Sequence, residues 1–140
     1  MTAHRYPVRV YYEDTDAGGI VYHAQYLCFA ERARTEFLRT LGVDHVQLLG
    51  EDGGIFAVRR ALVEFHRPAR LDDLLVVETS LKAARGARLD LRQEIKRDGQ
   101  LIVTIDIDLA FITPDLRPRR LPARVRAGFA SSVSFSSADA

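Results

Sequence analysis

Residues 11–38 read YYEDTDAGGIVYHAQYLCFAERARTEFL, and this stretch decides the fold. Three carboxylates come early in it, at Glu13, Asp14 and Asp16, and two glycines follow at once. A helical pattern begins directly after the glycines. The stretch therefore places a dense negative charge and a flexible Gly-Gly segment just before a helix.

The helical pattern extends from about Tyr22 to Leu41. Its apolar residues recur at steps of three and four, which places them on one stripe of a helix of about five turns: Leu27, Ala30, Ala33, Phe37 and Leu41. Charged residues at the same spacings are expected to pair on the outer face, Glu31 with Arg34 and Arg32 with Glu36. Gly42 marks the expected C-terminal end.

The other regular patterns predict strands. Five segments alternate or are rich in β-branched residues: residues 8–12, 55–65, 74–81, 89–95 and 101–113. Asp98-Gly99 predicts a tight hairpin turn between the last two. The final run, LIVTIDIDLAFIT, implies a long, half-buried antiparallel strand. One long helix and about five strands give an α+β domain, in which the helix covers the apolar face of the sheet.

Length and composition indicate one globular domain. The chain has 140 residues, of which 47% are apolar, enough for a single core. Residues 1–126 are assigned to this domain, and the small, polar segment 127–140 is expected to be a disordered tail. The formal net charge of +1 argues against a dedicated nucleic-acid binder.

Cysteine and hydropathy patterns narrow the class further. Cys28 is the only cysteine, which excludes an intramolecular disulfide and a cysteine metal cluster, and its position on the helix predicts core packing. The N-terminus has no apolar region typical of a signal peptide. No apolar run reaches the roughly 18 residues that a membrane helix needs. We therefore expect a cytoplasmic protein without stable membrane insertion.

The residues alone leave more than one interpretation of the carboxylate loop. Asp14 and Asp16 can simply complement the positive end of the helix. A phosphate-binding loop is disfavoured because the carboxylates would repel phosphate. An EF-hand fits Gly19 at its sixth position, but Gln25 stands where the bidentate acid belongs. In the catalytic interpretation, a carboxylate acts as nucleophile or general base while helix N–H groups polarise a carbonyl.

A family resemblance favours the catalytic interpretation. The stretch 11–38 resembles the signature of the hot-dog-fold acyl-CoA thioesterases, and most closely the 4-hydroxybenzoyl-CoA thioesterase-like and Tol-Pal-associated subgroup. The matching features are the acidic pair, Ala-Gly-Gly, Ile-Val-Tyr-His and Glu-Arg-Ala-Arg. HRPARLDDLLVVET, residues 66–79, is similar to that family's middle strands. The resemblance covers about residues 7–115.

The resemblance implies a long helix wrapped by a curved antiparallel sheet, and a homodimer or homotetramer that binds acyl-CoA near the subunit interface. It implies hydrolysis of acyl-CoA to free acid and CoA without a metal or another cofactor. The catalytic carboxylate falls on Asp16, and the carbonyl-polarising amide falls at or near His23. Asp14 is expected to shape the loop. Substrate contacts are expected from Gly18, Gly19, Tyr22 and Arg67.

Two other functions remain open at this stage. The domain can instead be a non-hydrolytic module that binds acyl thioesters or an acyl carrier protein. It can also be a hot-dog dehydratase or hydratase, which would need His23 to face Glu31 or Glu36 across a site. The Asp-x-Asp-Ala-Gly-Gly loop favours hydrolysis.

Overall fold

The computed structural model describes residues 3–129, which contain five strands, two α-helices between the first two strands, a short 3-10 turn and a further helical segment at residues 123–129. The strands are β1 (His4–Arg9), β2 (Ile55–Phe65), β3 (Leu74–Arg85), β4 (Arg88–Arg97) and β5 (Gln100–Ile112), and the helices are α1 (Gln25–Thr40) and α2 (His45–Asp52). All neighbouring strands are antiparallel, in the order β1-β3-β4-β5-β2. The predicted α+β fold is confirmed, and β1 and β2 form the edges of the sheet.

A tight turn and three irregularities of register shape the sheet. Asp98 and Gly99 both have positive φ (51° and 78°), as the predicted hairpin between β4 and β5 requires. The register shifts between Val58 and Arg60 in β2, and similar shifts occur in β3 and β4. Such bulges increase the local twist, which helps the sheet curve around α1.

Helix α1 buries one face against the concave side of the sheet. Ala30, Ala33 and Phe37 are buried as predicted, but Leu27 is 39% exposed and Cys28 is also exposed. The predicted apolar stripe was wrong at Leu27, and the expected core position of Cys28 was wrong. The reason is that the larger side chains of Tyr26 and Phe29 occupy the core instead, which turns positions 27 and 28 outward.

The ion pairs expected on α1 do not form. Within residues 3–129, Glu36 pairs with Arg39 at 3.4 Å, and neither Glu31 nor Arg32 has an ion-pair partner. Arg34 turns inward and is 8% exposed. The spacing rule identified residues that share a helix face, but the requirement to cover the sheet decided which face points to solvent.

Two helical segments were not predicted. Helix α2 is capped by Asp44, whose carboxylate accepts hydrogen bonds from the amides of Val46 and Gln47, and it buries only Leu48. Residues 123–129 are also helical, and Phe129 is fully buried. The expected tail boundary at residue 127 is therefore wrong for residues 127–129, while residues 130–140 lie outside the described part.

No helix within residues 3–129 combines the length and the apolar character needed to cross a membrane.

Substituting alanine for each of two glycines near the α2–β2 junction should change the stability of the protein in opposite directions. A Cβ on Gly54 would lie 2.5 Å from the Phe111 ring and 2.9 Å from the Ile112 carbonyl oxygen. Gly50 lies inside α2 with no other atom within 4 Å of its Cβ position. Gly54→Ala should lower the free energy of unfolding by about 1–3 kcal/mol, and Gly50→Ala should raise it by roughly 0.5–1 kcal/mol. Urea unfolding measures both, and a neutral Gly54→Ala would contradict this packing.

Candidate active site

The loop between β1 and α1 is closed by its own main chain. Thr15 and Val21 form an isolated antiparallel bridge. Beyond it, the Asp16 amide donates to the Ile20 carbonyl at 2.9 Å, and the Gly19 amide donates to the Asp16 carbonyl at 3.0 Å. Gly19 has φ of 81°, a conformation that only glycine adopts readily. The acidic, glycine-containing segment is therefore a defined turn.

Asp14 ties this loop to the start of α1. Its carboxylate is 6% exposed and accepts hydrogen bonds from the Tyr11 amide at 2.8 Å and from the Gln25 side chain at 2.9 Å. Its carbonyl accepts the Tyr22 amide at 2.9 Å. With both carboxylate oxygens engaged, Asp14 shapes the loop, as expected.

Asp16 has a different environment although it lies only two residues away. Its side chain is exposed, and Oδ1 accepts the Gly18 amide at 2.8 Å. A Cβ on Gly18 would lie 3.2 Å from this same oxygen, so the glycine permits the close approach. Oδ2 accepts no hydrogen bond from the described residues. The carboxylate is thus oriented by its own turn and retains a free oxygen.

The start of α1 provides unpaired hydrogen-bond donors. The helix begins at Gln25, because residues 22–24 form a turn in which the Gln25 amide donates to the Tyr22 carbonyl at 2.8 Å. In the part of the chain that the structure describes, the amides of His23 and Ala24 have no acceptor. Free N–H groups at the positive end of a helix suit an oxygen that carries negative charge.

A groove of about 300 Å³ separates the start of α1 from the end of β2. Its lining is mostly apolar and comes from two segments: Ile20, Val21, His23 and Tyr26 on one side, and Phe65, His66, Arg67 and Pro68 on the other. The His23 ring lies 4.6 Å from the Tyr22 ring and 6.3 Å from the Phe65 ring. This groove can hold an apolar group beside the helix start.

Tyr26 forms the floor of the groove. Its hydroxyl accepts the Ala69 amide at 3.1 Å, and its ring lies 5.9 Å from that of Phe65. Burial raises the pKa of Tyr26, so the phenol stays protonated. Its role here is to hold the floor in place.

The structure divides the predicted site residues into two neighbouring groups. His23 and Arg67 line the groove, with Tyr22 packed beside His23. Asp16, Gly18 and Gly19 form the turn, which joins the groove through Ile20 and Val21. Arg67 is exposed at the rim, and its guanidinium donates to the Leu101 carbonyl at 2.9 Å.

The sequence analysis missed Phe65 and Tyr26 as groove residues. Phe65 belongs to an apolar strand pattern, and Tyr26 lies outside the predicted stripe of α1 although it is buried. Phe65 is 53% exposed, because it ends an edge strand whose outer side has no neighbour in the described chain. A large aromatic residue directly before HRPAR was the available signal.

A long helix on a curved antiparallel sheet, preceded by a carboxylate turn, defines a hot-dog domain. A family model described as the thioesterase superfamily matches residues 18–104. The chain therefore belongs to the thioesterase superfamily, and the resemblance to hot-dog thioesterases is confirmed.

Individual relatives agree with this assignment. The acyl-CoA thioesterase YbgC of Haemophilus influenzae is 43% identical over 125 residues, which cover 89% of this chain and 92% of the relative. The acyl-CoA thioester hydrolase YbgC of Escherichia coli O6:H1 is 44% identical over 130 residues, 91% and 96% of the two chains. A 4-hydroxybenzoyl-CoA thioesterase in complex with 4-hydroxybenzoyl-CoA has the same fold, with a TM-score of 0.85 at 23% identity over 91% of this chain and 99% of that one.

Removing the Asp14 carboxylate should destabilise the protein more than removing the Asp16 carboxylate. Asp14→Ala removes two hydrogen bonds to a buried carboxylate and should lower the free energy of unfolding by about 1.5–3 kcal/mol. Asp16→Ala removes one bond at an exposed position and should lower it by roughly 0.5–1 kcal/mol. Chemical denaturation of both variants gives the comparison. A larger loss for Asp16→Ala would contradict the assignment of Asp14 as the residue that holds the loop.

Proposed function

We propose that the protein hydrolyses acyl-CoA thioesters to the free acid and CoA, with Asp16 as the catalytic carboxylate. The observation that carries the proposal is the Asp16 turn just before α1: within residues 3–129, one Asp16 carboxylate oxygen accepts no hydrogen bond and the amides of His23 and Ala24 at the helix start have no acceptor. The names of the two YbgC relatives support the acyl-CoA substrate.

In the proposed mechanism, the thioester carbonyl oxygen accepts hydrogen bonds from the backbone N–H groups of His23 and Ala24. These donors stabilise the negative charge that forms on that oxygen when the carbonyl carbon is attacked. Asp16 acts in one of two ways. As a nucleophile, it bonds to the carbonyl carbon and expels CoA thiolate, and water then hydrolyses the mixed anhydride. As a general base, it takes a proton from the attacking water.

The remaining site residues have proposed roles in binding and proton transfer. The His23 side chain can give a proton to the departing sulfur. Gly18 and Gly19 keep the approach to Asp16 free of side chains, and Tyr22 covers His23. Arg67 at the rim suits the phosphates of CoA, because guanidinium binds phosphate oxygens well. The same groove can accept a thioester carried by acyl carrier protein. We propose that the protein acts in the cytoplasm.

We also propose that the active form is a homodimer, or a tetramer built from two such dimers. Strand β2 is an edge whose apolar side chains remain exposed, with Val58 at 52% and Leu62 at 49%. An exposed, long and apolar edge strand favours pairing with another strand. Antiparallel pairing of β2 with β2 of a second copy would cover these side chains and extend the sheet.

The dehydratase or hydratase alternative lacks its required pair. Glu36 is engaged with Arg39 at 3.4 Å. Glu31 lines a separate cavity, and neither glutamate is among the residues that form the His23 groove. A binding module without hydrolysis remains the outcome if Asp16 proves inert.

Asparagine substitutions should distinguish the catalytic role of Asp16 from the structural role of Asp14. Asp16→Asn keeps the shape of the turn but removes the reagent, so kcat for the best acyl-CoA should fall by roughly 10²–10⁴-fold. Asp14→Asn should reduce kcat much less, because Asp14 touches no part of the groove. Thiol release from a panel of acyl-CoAs measures both, with prolonged EDTA treatment as a control that should leave the rate unchanged. Near-normal turnover by Asp16→Asn would contradict the mechanism. An inactive Asp14→Asn that unfolds at the wild-type denaturant concentration, together with an active Asp16→Asn, would move the catalytic role two residues earlier.

Disrupting the β2 edge should reduce assembly and activity together. Leu62→Glu places a charge in the middle of the exposed edge, so light scattering should show a smaller species with lower kcat/KM. Val46→Glu is the matched control, since Val46 is 83% exposed and lies on α2 instead of on the edge strand. A wild-type protein that is active as a monomer at micromolar concentration would contradict the proposed assembly.

A further inference from the structure

A second cavity lies at the opposite end of α1 from the His23 groove. It has a volume of about 410 Å³ and opens between the later turns of α1, helix α2 and the start of β2. Five of its lining residues are apolar and four are polar: Leu38, Ile55, Phe56, Val58 and Leu109, with Glu31, Arg34, Thr35 and His45. A cavity of this size is within the range typical of small-molecule sites.

Arg34 is the unusual member of this lining. It is 8% exposed, and the single hydrogen bond of its guanidinium goes to the Gln93 side-chain oxygen at 3.2 Å. No carboxylate oxygen lies within 4.0 Å of it in residues 3–129. Gln93 cannot neutralise the charge, and its own amide is fixed by hydrogen bonds to the Ala30 carbonyl and the Thr79 hydroxyl. A buried guanidinium without a counter-ion is energetically unfavourable.

The other ionisable groups of the cavity do not supply that counter-ion. Glu31 is exposed at the rim and lies beyond ion-pair distance from Arg34; burial lowers the pKa of Arg34, and the charge of Glu31 offsets this only in part. Burial lowers the pKa of His45, which favours its neutral form. The cavity therefore combines apolar walls with one uncompensated positive charge.

Resting on the proposed hydrolysis and the proposed dimer, we infer that this cavity receives the far end of the acyl group and that Arg34 selects acyl groups that end in a carboxylate. Antiparallel pairing of two β2 strands brings the Phe65 end of one protomer beside the Ile55 end of the other. The groove of one protomer then opens toward this cavity of its partner. The methylene chain contacts the apolar walls, and the terminal carboxylate accepts hydrogen bonds from the guanidinium fork.

The test compares two acyl-CoAs of equal length, adipoyl-CoA and hexanoyl-CoA, which differ only in the terminal carboxylate. Wild-type kcat/KM should favour adipoyl-CoA by roughly tenfold or more, as expected for a charge-assisted hydrogen bond in a buried site. Arg34→Met should abolish the preference for adipoyl-CoA, and Arg34→Lys should retain part of it. Glu31→Gln should increase the ratio, because it removes the rim carboxylate.

Arg39→Met is the matched control, since Arg39 lies on the same helix, is exposed and, among the residues that the structure describes, forms an ion pair with Glu36 alone. It should leave the ratio unchanged. If Arg34→Met fails to fold, the wild-type ratio still decides: equal or better hydrolysis of hexanoyl-CoA overturns the inference while leaving acyl-CoA hydrolysis intact. Failure to hydrolyse any acyl-CoA would instead refute the proposed function.

A calorimetric titration tests the cavity without turnover. Hexanoate, but not hexanamide, should bind the wild-type protein, and Arg34→Met should lose this binding. Equal binding of the two compounds, or none, would contradict the role of Arg34. Hexanoate binding together with no preference for adipoyl-CoA would show that the site serves a free carboxylic acid, which also overturns selection of the acyl terminus.

Discussion

The buried carboxylate of Asp14 is the contact on which the candidate site depends. It joins the end of β1 to the first turn of α1, because its two oxygens accept the Tyr11 amide and the Gln25 side chain. Together with the Tyr22 amide, which donates to the Asp14 carbonyl, this link positions the turn that carries Asp16 relative to the helix start. Two identical residues thus have opposite environments: Asp14 is buried with both oxygens bonded, and Asp16 is exposed with one oxygen free. Structural support and chemistry are assigned to different carboxylates.

The parts of the fold that could be predicted from sequence are those with a strong local pattern. Strand β5 follows the alternation of its apolar residues, and the hairpin before it follows from Asp98-Gly99. Helix α2 was missed because it buries only Leu48, and a single buried apolar residue cannot produce the repeating pattern from which a helix is predicted. The stripe on α1 was misplaced at Leu27 because local spacing does not reveal which neighbouring side chain, Tyr26 or Leu27, reaches the sheet.

Only those parts of the candidate site that lie close together in the sequence could be predicted. The Asp16 turn and His23 lie within eight residues of sequence, so their proximity is a local property. The ring of Phe65 lies 6.3 Å from that of His23 although the two residues are far apart in the sequence, a proximity that no local pattern encodes. Arg34 was expected on the surface, since its spacing from Glu31 suits an ion pair. Its burial depends on Gln93 in β4, 59 positions along the chain.

The two proposals meet along the β2 edge and give helix α1 a role both at its start and in its middle. The helix start carries unpaired amides, and its middle carries Arg34, so both contribute positive potential to the face that borders β2. In one protomer these two features lie too far apart along the helix to contact the same small group. Antiparallel pairing of β2 brings the helix start of one copy toward Arg34 of the other, so a short acyl chain can span them. The thioester oxygen and a terminal carboxylate would then each face a positive group, while Asp16 supplies the negative charge at the reacting carbon. The proposed dimer would therefore account together for the open edge of β2, its exposed apolar residues and the buried Arg34, which has no ion-pair partner within residues 3–129.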